Sequence, residues 1–452
     1  MQLRWKNLIA AIRGAERLRT VMLTAGSLSV ARVITAAVQF ALVPLLLSHL
    51  GPELFGTWVA LCALPVILQV ADFGLGNAMV NEVARISHAE DQRALLKFIT
   101  KRYYLLFLIS VVVGLTGAAL SSLSIWRNLF NISEVVSNDD LYYSLIVVSI
   151  ISAFQLLLNA SQQVWLGMQK GMLNGISLAV GALLNLCAVA VCVKIDAGLP
   201  WVIFSSAVGA VLAQFCSTLL LFKKLHFRAM DLFEVRLKIN SIIEILKSAR
   251  GFFVIQLCGL LSFNLDVLLV SRFVGGQGVA EYSVVARLFS IPTLVLSLLL
   301  SGLWPVVSRA QVAGDYFWIR RTFMLTLAVC LIISATSAFG LYSTSDILIG
   351  YWTKEMVQPS SAVVLGFSVW VVLTAIGGNI AIYLNGVGEI SYQAKMSVLF
   401  AIVNIVVSLA LVKIIGVSGP IWGSIFASSI YYVFALSRIK KIMNSNGTGI
   451  GS

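Results

Sequence analysis

The chain has 452 residues, of which 59% are hydrophobic and only 11% charged, with a mean hydropathy of +0.95. Soluble domains carry about 25% charged residues, so a soluble globular fold is excluded; a membrane β-barrel needs short alternating segments, which are absent. The formal net charge of +13 raises nucleic acid as a partner, and the placement of the basic residues disposes of it.

Residues 1–20 hold Trp5, Leu8, Ile9 and Ile12 among basic residues. They are too charged for a cleaved signal peptide and suit an amphipathic helix on the inner membrane surface. Reading onward for apolar runs of about 20 residues predicts about twelve helical spans. The first half supplies Val21–Ser48, Leu54–Ala78, Tyr103–Leu123, Leu141–Trp165, Met172–Val193 and Trp201–Phe222. The second supplies Gly251–Phe273, Val279–Val306, Thr322–Tyr342, Ala362–Leu384, Met396–Leu411 and Pro420–Ser437.

Basic residues sort by side. Arg4, Lys6, Arg13, Arg17 and Arg19 precede the first span, and Arg85, Arg93, Lys97, Lys101 and Arg102 follow the second. Lys223, Lys224, Arg228, Arg236, Lys238, Lys247 and Arg250 fill the central loop, and Arg438, Lys440 and Lys441 the tail. With the N-terminus inside, all of these are cytoplasmic, whereas Arg127, Lys194, Arg272, Lys354 and Lys413 fall outside. That asymmetry follows the positive-inside rule and puts both termini in the cytoplasm. It reports topology, with no nucleic-acid partner.

The chain also repeats itself. Gly167 falls on Gly386, Ala182 on Ala401 and Asn185 on Asn404 at one constant offset, which also aligns Val193–Ile195 with Val412–Ile414. At a slightly larger offset Leu45–Ser48 meets Leu268–Ser271, Phe40 meets Phe263, Trp58 meets Tyr282 and Arg85 meets Arg309. A shared register across several helices indicates duplication. Six spans per copy give parallel repeats related by an axis along the membrane normal, as in secondary transporters. The expected organisation is all-α: a six-helix lobe over residues 1–222, a basic cytoplasmic linker 223–250, a second six-helix lobe 251–441 and a tail 442–452.

Four charges lie inside the spans. Asp72 and Arg32 fall roughly 27 and 24 Å below the outer surface, and Asp266 and Arg287 each about 12 Å below it. A midspan charge costs about 2.5–3.5 kcal/mol on insertion scales, so a partner or a wet cavity is expected. Two readings stay open: ion pairs that hold helices together, or groups facing an aqueous cavity where Arg binds an anion through two oxygens. Gln69, Asp72 and Gly76 would share a helix face, as would Ser262 and Asp266; Asn264 suits a helix–helix hydrogen bond. Pro292 follows Arg287 closely and is expected to kink its helix.

Other motifs carry little. The six cysteines are scattered through the spans, so no disulfide framework, metal site or cofactor is indicated. His49, His88 and His226 fall in loops or at span ends, and Gly74–Gly76 lacks the third glycine of a phosphate loop. Asn131 begins an outward N-I-S sequon.

Leu50–Arg85, "LGPELFGTWVALCALPVILQVADFGLGNAMVNEVAR", closely resembles the second-helix region of bacterial polysaccharide flippases. These are the O-antigen, capsule and exopolysaccharide exporters of the multidrug/oligosaccharidyl-lipid/polysaccharide superfamily. The matching residues are Gly51, Phe55, Gly56 and Trp58, then Asp72, Gly74 and Asn77; Tyr383–Ile390 is similar to the tenth-helix exit. The resemblance implies two lobes around a central cavity, working by alternating access. Its implied cargo is an undecaprenyl-pyrophosphate-linked oligosaccharide moved to the outer leaflet of the bacterial inner membrane, with a coupling ion (proton or sodium) and polysaccharide-assembly proteins as partners. On that reading Arg32, Arg287, Asn77 and Asn264 contact cargo, and Asp72 and Asp266 are charge partners or coupling-ion sites. A multidrug or cation antiporter of the same superfamily is the alternative. An enzyme is disfavoured because the outer loops Ser124–Asp140 and Ser343–Ser361 are too short for a catalytic domain.

Overall fold

The computed structural model describes residues 2–88, 92–226, 239–300 and 303–447. Every regular element among them is helical. In chain order these are α1 (Gln2–Leu68), α2 (Leu75–His88), α3 (Gln92–Leu120), α4 (Ile125–Leu129), α5 (Asn138–Gly167), α6 (Met172–Lys194) and α7 (Leu199–Lys224). Then follow α8 (Ile239–Phe263), α9 (Leu265–Val274), α10 (Gly276–Leu300), α11 (Leu303–Val312), α12 (Tyr316–Thr353), α13 (Ser361–Gly386), α14 (Ile390–Ile415) and α15 (Gly419–Gly447).

Nine helices among the described residues are long and apolar enough to cross a membrane, and ten if the bent pair Ala249–Leu260 with Leu265–Val274 is one span. The sequence predicts about twelve, and the difference has a physical source. Gly26–Asp72 is 47 residues and Ser391–Ile442 is 52, or about 70 and 78 Å of helix against a hydrocarbon core of about 30 Å. Each is interrupted. Gly51 adopts φ 71°, ψ 168° inside α1, and Gly416 adopts φ 61° ahead of a short 3-10 turn between α14 and α15. Each therefore covers two predicted segments.

Three boundaries need correction. The second predicted span breaks at Gln69–Gly74 and the seventh at Asn264, so neither Gln69, Asp72 and Gly76 nor Ser262 and Asp266 lie on one continuous helix. The outer loop expected from Ser343 is helical as far as Thr353. In the central linker α8 begins at Ile239, and residues 227–238 lie outside the described ones.

Contacts group the chain into two compact units. Unit 1 is Met1–Leu42, Leu64–Leu123 and Asn138–Phe253; unit 2 is Val43–Ala63, Ser124–Ser137 and Val254–Ser452. Unit 1 buries Leu75, Met79, Ile99, Leu106 and Trp165 together, with Trp165 Nε1 donating to Ser217 Oγ at 3.1 Å. Its tightest helix pair is α6 with α7, where a methyl on Gly209 would strike the backbone of Asn185 and Gly181. Small residues let membrane helices approach this closely. In unit 2, Val307, Phe323, Ile380, Tyr383 and Ala435 form a core, and Gly423 of α15 lies directly on Ser408 of α14. Large apolar side chains such as Leu115, Ile332, Phe339 and Ile347 remain exposed, as expected where lipid is the solvent.

Candidate functional site

Unit 2 brings two of the predicted charges to one place. Asn264 breaks the seventh predicted span, with no side-chain capping bond, and Asp266 lands in the first turn of α9. There the helix dipole favours a negative charge. Asp266 is 7% exposed. Its Oδ2 accepts from Tyr282 Oη of α10 at 2.8 Å and from Ser424 Oγ of α15 at 3.2 Å. Behind Ser424 the chain continues: Asn404 Nδ2 donates to Ser424 Oγ at 3.2 Å, and Ser408 Oγ donates to Asn404 Oδ1 at 2.7 Å. The hydroxyls have alternatives, Ser424 Oγ toward Asn404 Oδ1 at 3.4 Å and Ser408 Oγ toward the Pro420 carbonyl at 3.2 Å, so this is a connected network in which each bond polarises the next.

Arg287 lies five residues along α10 from Tyr282. Asp266, Tyr282, Ser283, Arg287 and Ser424 line one cavity of about 270 Å³, together with Val59 of α1. The Arg287 guanidinium carbon stands 5.5 Å from the centre of the Trp58 ring and 5.7 Å from that of Phe55, within cation–π range. Its Nη1 is buried with no hydrogen-bond partner, and the same holds for Ser283 Oγ and Trp58 Nε1. Buried polar atoms almost always find partners, so two orphans in the cavity wall, Arg287 and Ser283, with the Trp58 indole beside Arg287, ask for something to fill it. Two of them, a guanidinium N–H and an indole N–H, can only donate. The cluster is built to receive an acceptor.

The remaining predicted residues are placed elsewhere. Asp72 in unit 1 is half-buried and local: Oδ1 accepts from Gly74 N at 2.7 Å and Oδ2 from Gly76 N at 3.2 Å. It caps the start of α2 across the left-handed Phe73 and Gly74. Arg32 and Asn77 are exposed. The salt bridges between described residues include Arg85–Glu82 and Arg438–Glu389; neither Arg32–Asp72 nor Arg287–Asp266 is among them. Trp58, Tyr282, Ser283, Asn404 and Ser424 were not singled out as site residues by sequence reasoning. A signal existed, because the internal repeat aligns Trp58 with Tyr282 and Asn185 with Asn404.

Residues 23–311, well over half of the chain, match the model of a family described as "Polysaccharide biosynthesis protein". The chain belongs to that family. A second model, MatE, matches residues 252–410. A Yersinia pseudotuberculosis protein named for O-antigen export is 22% identical over 382 residues, covering 83% of this chain and 85% of its own. Among solved structures, an inward-facing multidrug-resistance MATE family transporter of the MOP superfamily superposes with a TM-score of 0.74 at 13% identity, covering 94% of this chain and all of that one. The lipid II flippase MurJ superposes with a TM-score of 0.72 at 14% identity, covering 91% and 87%. This member of the polysaccharide biosynthesis family thus has the fold of the MATE and MurJ transporters. Its helices are those of a multi-pass membrane protein.

Proposed function

We propose that this protein flips a lipid-pyrophosphate-linked oligosaccharide, an O-antigen or related surface-polysaccharide unit, from the inner to the outer leaflet of a bacterial inner membrane. The observation that carries the reading is Arg287. Its Nη1 is buried without a partner, in the wall of a cavity that the unpartnered Ser283 hydroxyl also borders. A charged linkage cannot cross the bilayer core unaided, because an isolated charge in low dielectric is strongly disfavoured. A guanidinium with a free edge lowers that barrier through two-point contact with phosphate oxygens. Asp266, at the end of its hydroxyl chain, serves as the coupling-ion site, and Asn264 breaks the helix that presents it. Arg32, Asn77 and Asp72 act from unit 1, Asp72 by shaping the helix start and the other two as exposed polar groups.

The architecture that goes with this is two six-helix lobes, residues 1–222 and 251–441, related by a pseudo-two-fold along the membrane normal, with both termini cytoplasmic. The breaks at Gly51 and Gly416 support the twelve-span count. A multidrug antiporter is the second reading, favoured by the MatE match over residues 252–410. Deletion of the gene separates them. Loss of surface polysaccharide with lipid-linked units trapped on the inner leaflet supports the flippase. Normal polysaccharide with new drug sensitivity points to the antiporter.

A further inference from the structure

A second cavity in unit 2, of about 390 Å³, has no charged residue among the described residues of its wall. That is within the roughly 300–1,000 Å³ common for small-molecule sites. Trp370, Phe400, Tyr431 and Tyr432 supply aromatic surface, and Thr374, Ser397 and Ser428 supply hydroxyls. The protons of Thr374 and Ser397 are spent on the carbonyls of Val371 and Gln393, at 2.8 and 2.9 Å. Both oxygens therefore meet an occupant as acceptors. An occupant that brings its own O–H donors and a flat C–H face fits this wall. A prenyl chain brings no donors, and an organic cation finds no carboxylate among the described lining residues.

The two cavities share Trp370 as a wall. Along α13 they run from Phe367 to Ala381, about 21 Å of helix. We propose that the aromatic cavity is a sugar subsite, taking an uncharged pyranose ring of a cargo whose pyrophosphate sits at Arg287. The assignment rests on the flippase reading and adds the part of the cargo that is read by shape. It also explains two glycines. A methyl on Gly377 would collide with the Tyr432 phenol, whereas one on Gly259 would meet nothing within 4 Å. Gly259 lines the cavity, so a larger side chain there grows into the space reserved for the ring.

The test uses the full-length protein in detergent, with geranyl pyrophosphate as the bare probe. Geranyl pyrophosphates carrying glucose, galactose or N-acetylglucosamine are the sugar probes, and binding is read from tryptophan fluorescence. At least one sugar probe should bind about tenfold more tightly than the bare probe. Gly259→Leu and Phe400→Leu should each remove most of that gain and leave the bare probe unchanged, while Arg287→Ala should weaken all probes alike. Phe400→Leu keeps apolar volume and decides the matter if Gly259→Leu does not fold. No gain for any sugar, or a gain that survives both substitutions, overturns the subsite. Weaker binding of the bare probe in Gly259→Leu overturns it too, since a prenyl chain would then occupy the cavity. If Arg287→Ala changes nothing while Gly259→Leu abolishes the sugar gain, the subsite stands and the pyrophosphate contact falls.

Discussion

Asp72 and Asp266 are both single carboxylates in apolar stretches, and the molecule uses them in opposite ways. Asp72 turns both oxygens onto backbone N–H groups of its own loop and starts a helix. Asp266 takes side-chain donors from two other helices and stands at the edge of a cavity. The two asparagines that the sequence register aligns differ as well: Asn185 accepts from the Ala210 backbone at 3.2 Å, whereas Asn404 bonds to Ser408 and to Ser424, which reaches Asp266. Backbone partners fix geometry. Side-chain hydroxyls can turn, so a proton or cation can come and go. Asp72 is thus tied to the backbone that starts α2, and Asp266 to side chains that can turn.

The largest expected effect lies on the adjustable side. Asp266→Asn keeps an acceptor for Tyr282 and Ser424 but removes the charge, so the protein should fold and reach the membrane while ion-coupled transport falls at least about tenfold; a group that titrates or binds a cation in the cycle cannot be replaced by one that does neither. Normal coupled transport in vesicles of Asp266→Asn would remove this residue from the mechanism.

Gly74 comes next. It has φ 77°, and a Cβ there would lie 2.5 Å from Phe253 N and 2.9 Å from Ala249 O of α8. Backbone cannot yield as a side-chain tip does, so Gly74→Ala should cost about 1–3 kcal/mol, the range for overpacking. A thermal melt of the detergent-solubilised variant matching the parent would show that this approach of backbones is looser than described.

Asp72→Ala removes a cap and should cost about 1 kcal/mol, with Asp72→Ser recovering most of it. Arg32→Ala should not alter that cost, because Arg32–Asp72 is not among the salt bridges between described residues, and sites not in contact add within about 0.3–0.5 kcal/mol. A larger coupling in a double-mutant cycle would restore the ion pair that the sequence suggests.

The smallest effect is at Glu82, whose carboxyl Arg85 holds below its ordinary range mainly by hydrogen bonding, Nε donating at 3.2 Å. A depressed carboxylate pKa contributes stability at neutral pH that is lost as pH falls through the carboxylate range. The pair is exposed, so Glu82→Gln should leave the neutral-pH melting temperature unchanged. A clear drop would mean that this surface is covered.

Much of the fold was legible because lipid allows few solutions for a long apolar run. The charges Asp266 and Arg287 stood out for the same reason. The breaks at Gln69–Gly74 and Asn264 were hidden because hydropathy does not register backbone direction, although Asp-Phe-Gly is itself a turn-forming tripeptide. The hydroxyls around Asp266 were hidden differently. Serine is common in spans and usually bonds to its own helix, as Ser149 and Ser152 do, so only the fold reveals that Ser424 reaches a carboxylate. Trp58 meets Arg287 from α1, far from it in the chain, and no local pattern reports such a meeting.

The central claim is that Arg287 holds the anionic part of the cargo. The most direct measurement is export of surface polysaccharide by cells carrying the parent protein, Arg287→Lys or Arg287→Ala at matched membrane levels. Lysine keeps the charge and loses the planar fork, so Arg287→Lys should retain part of the rate and Arg287→Ala less than about a tenth of it. Export by Arg287→Ala at the parent rate would contradict the account.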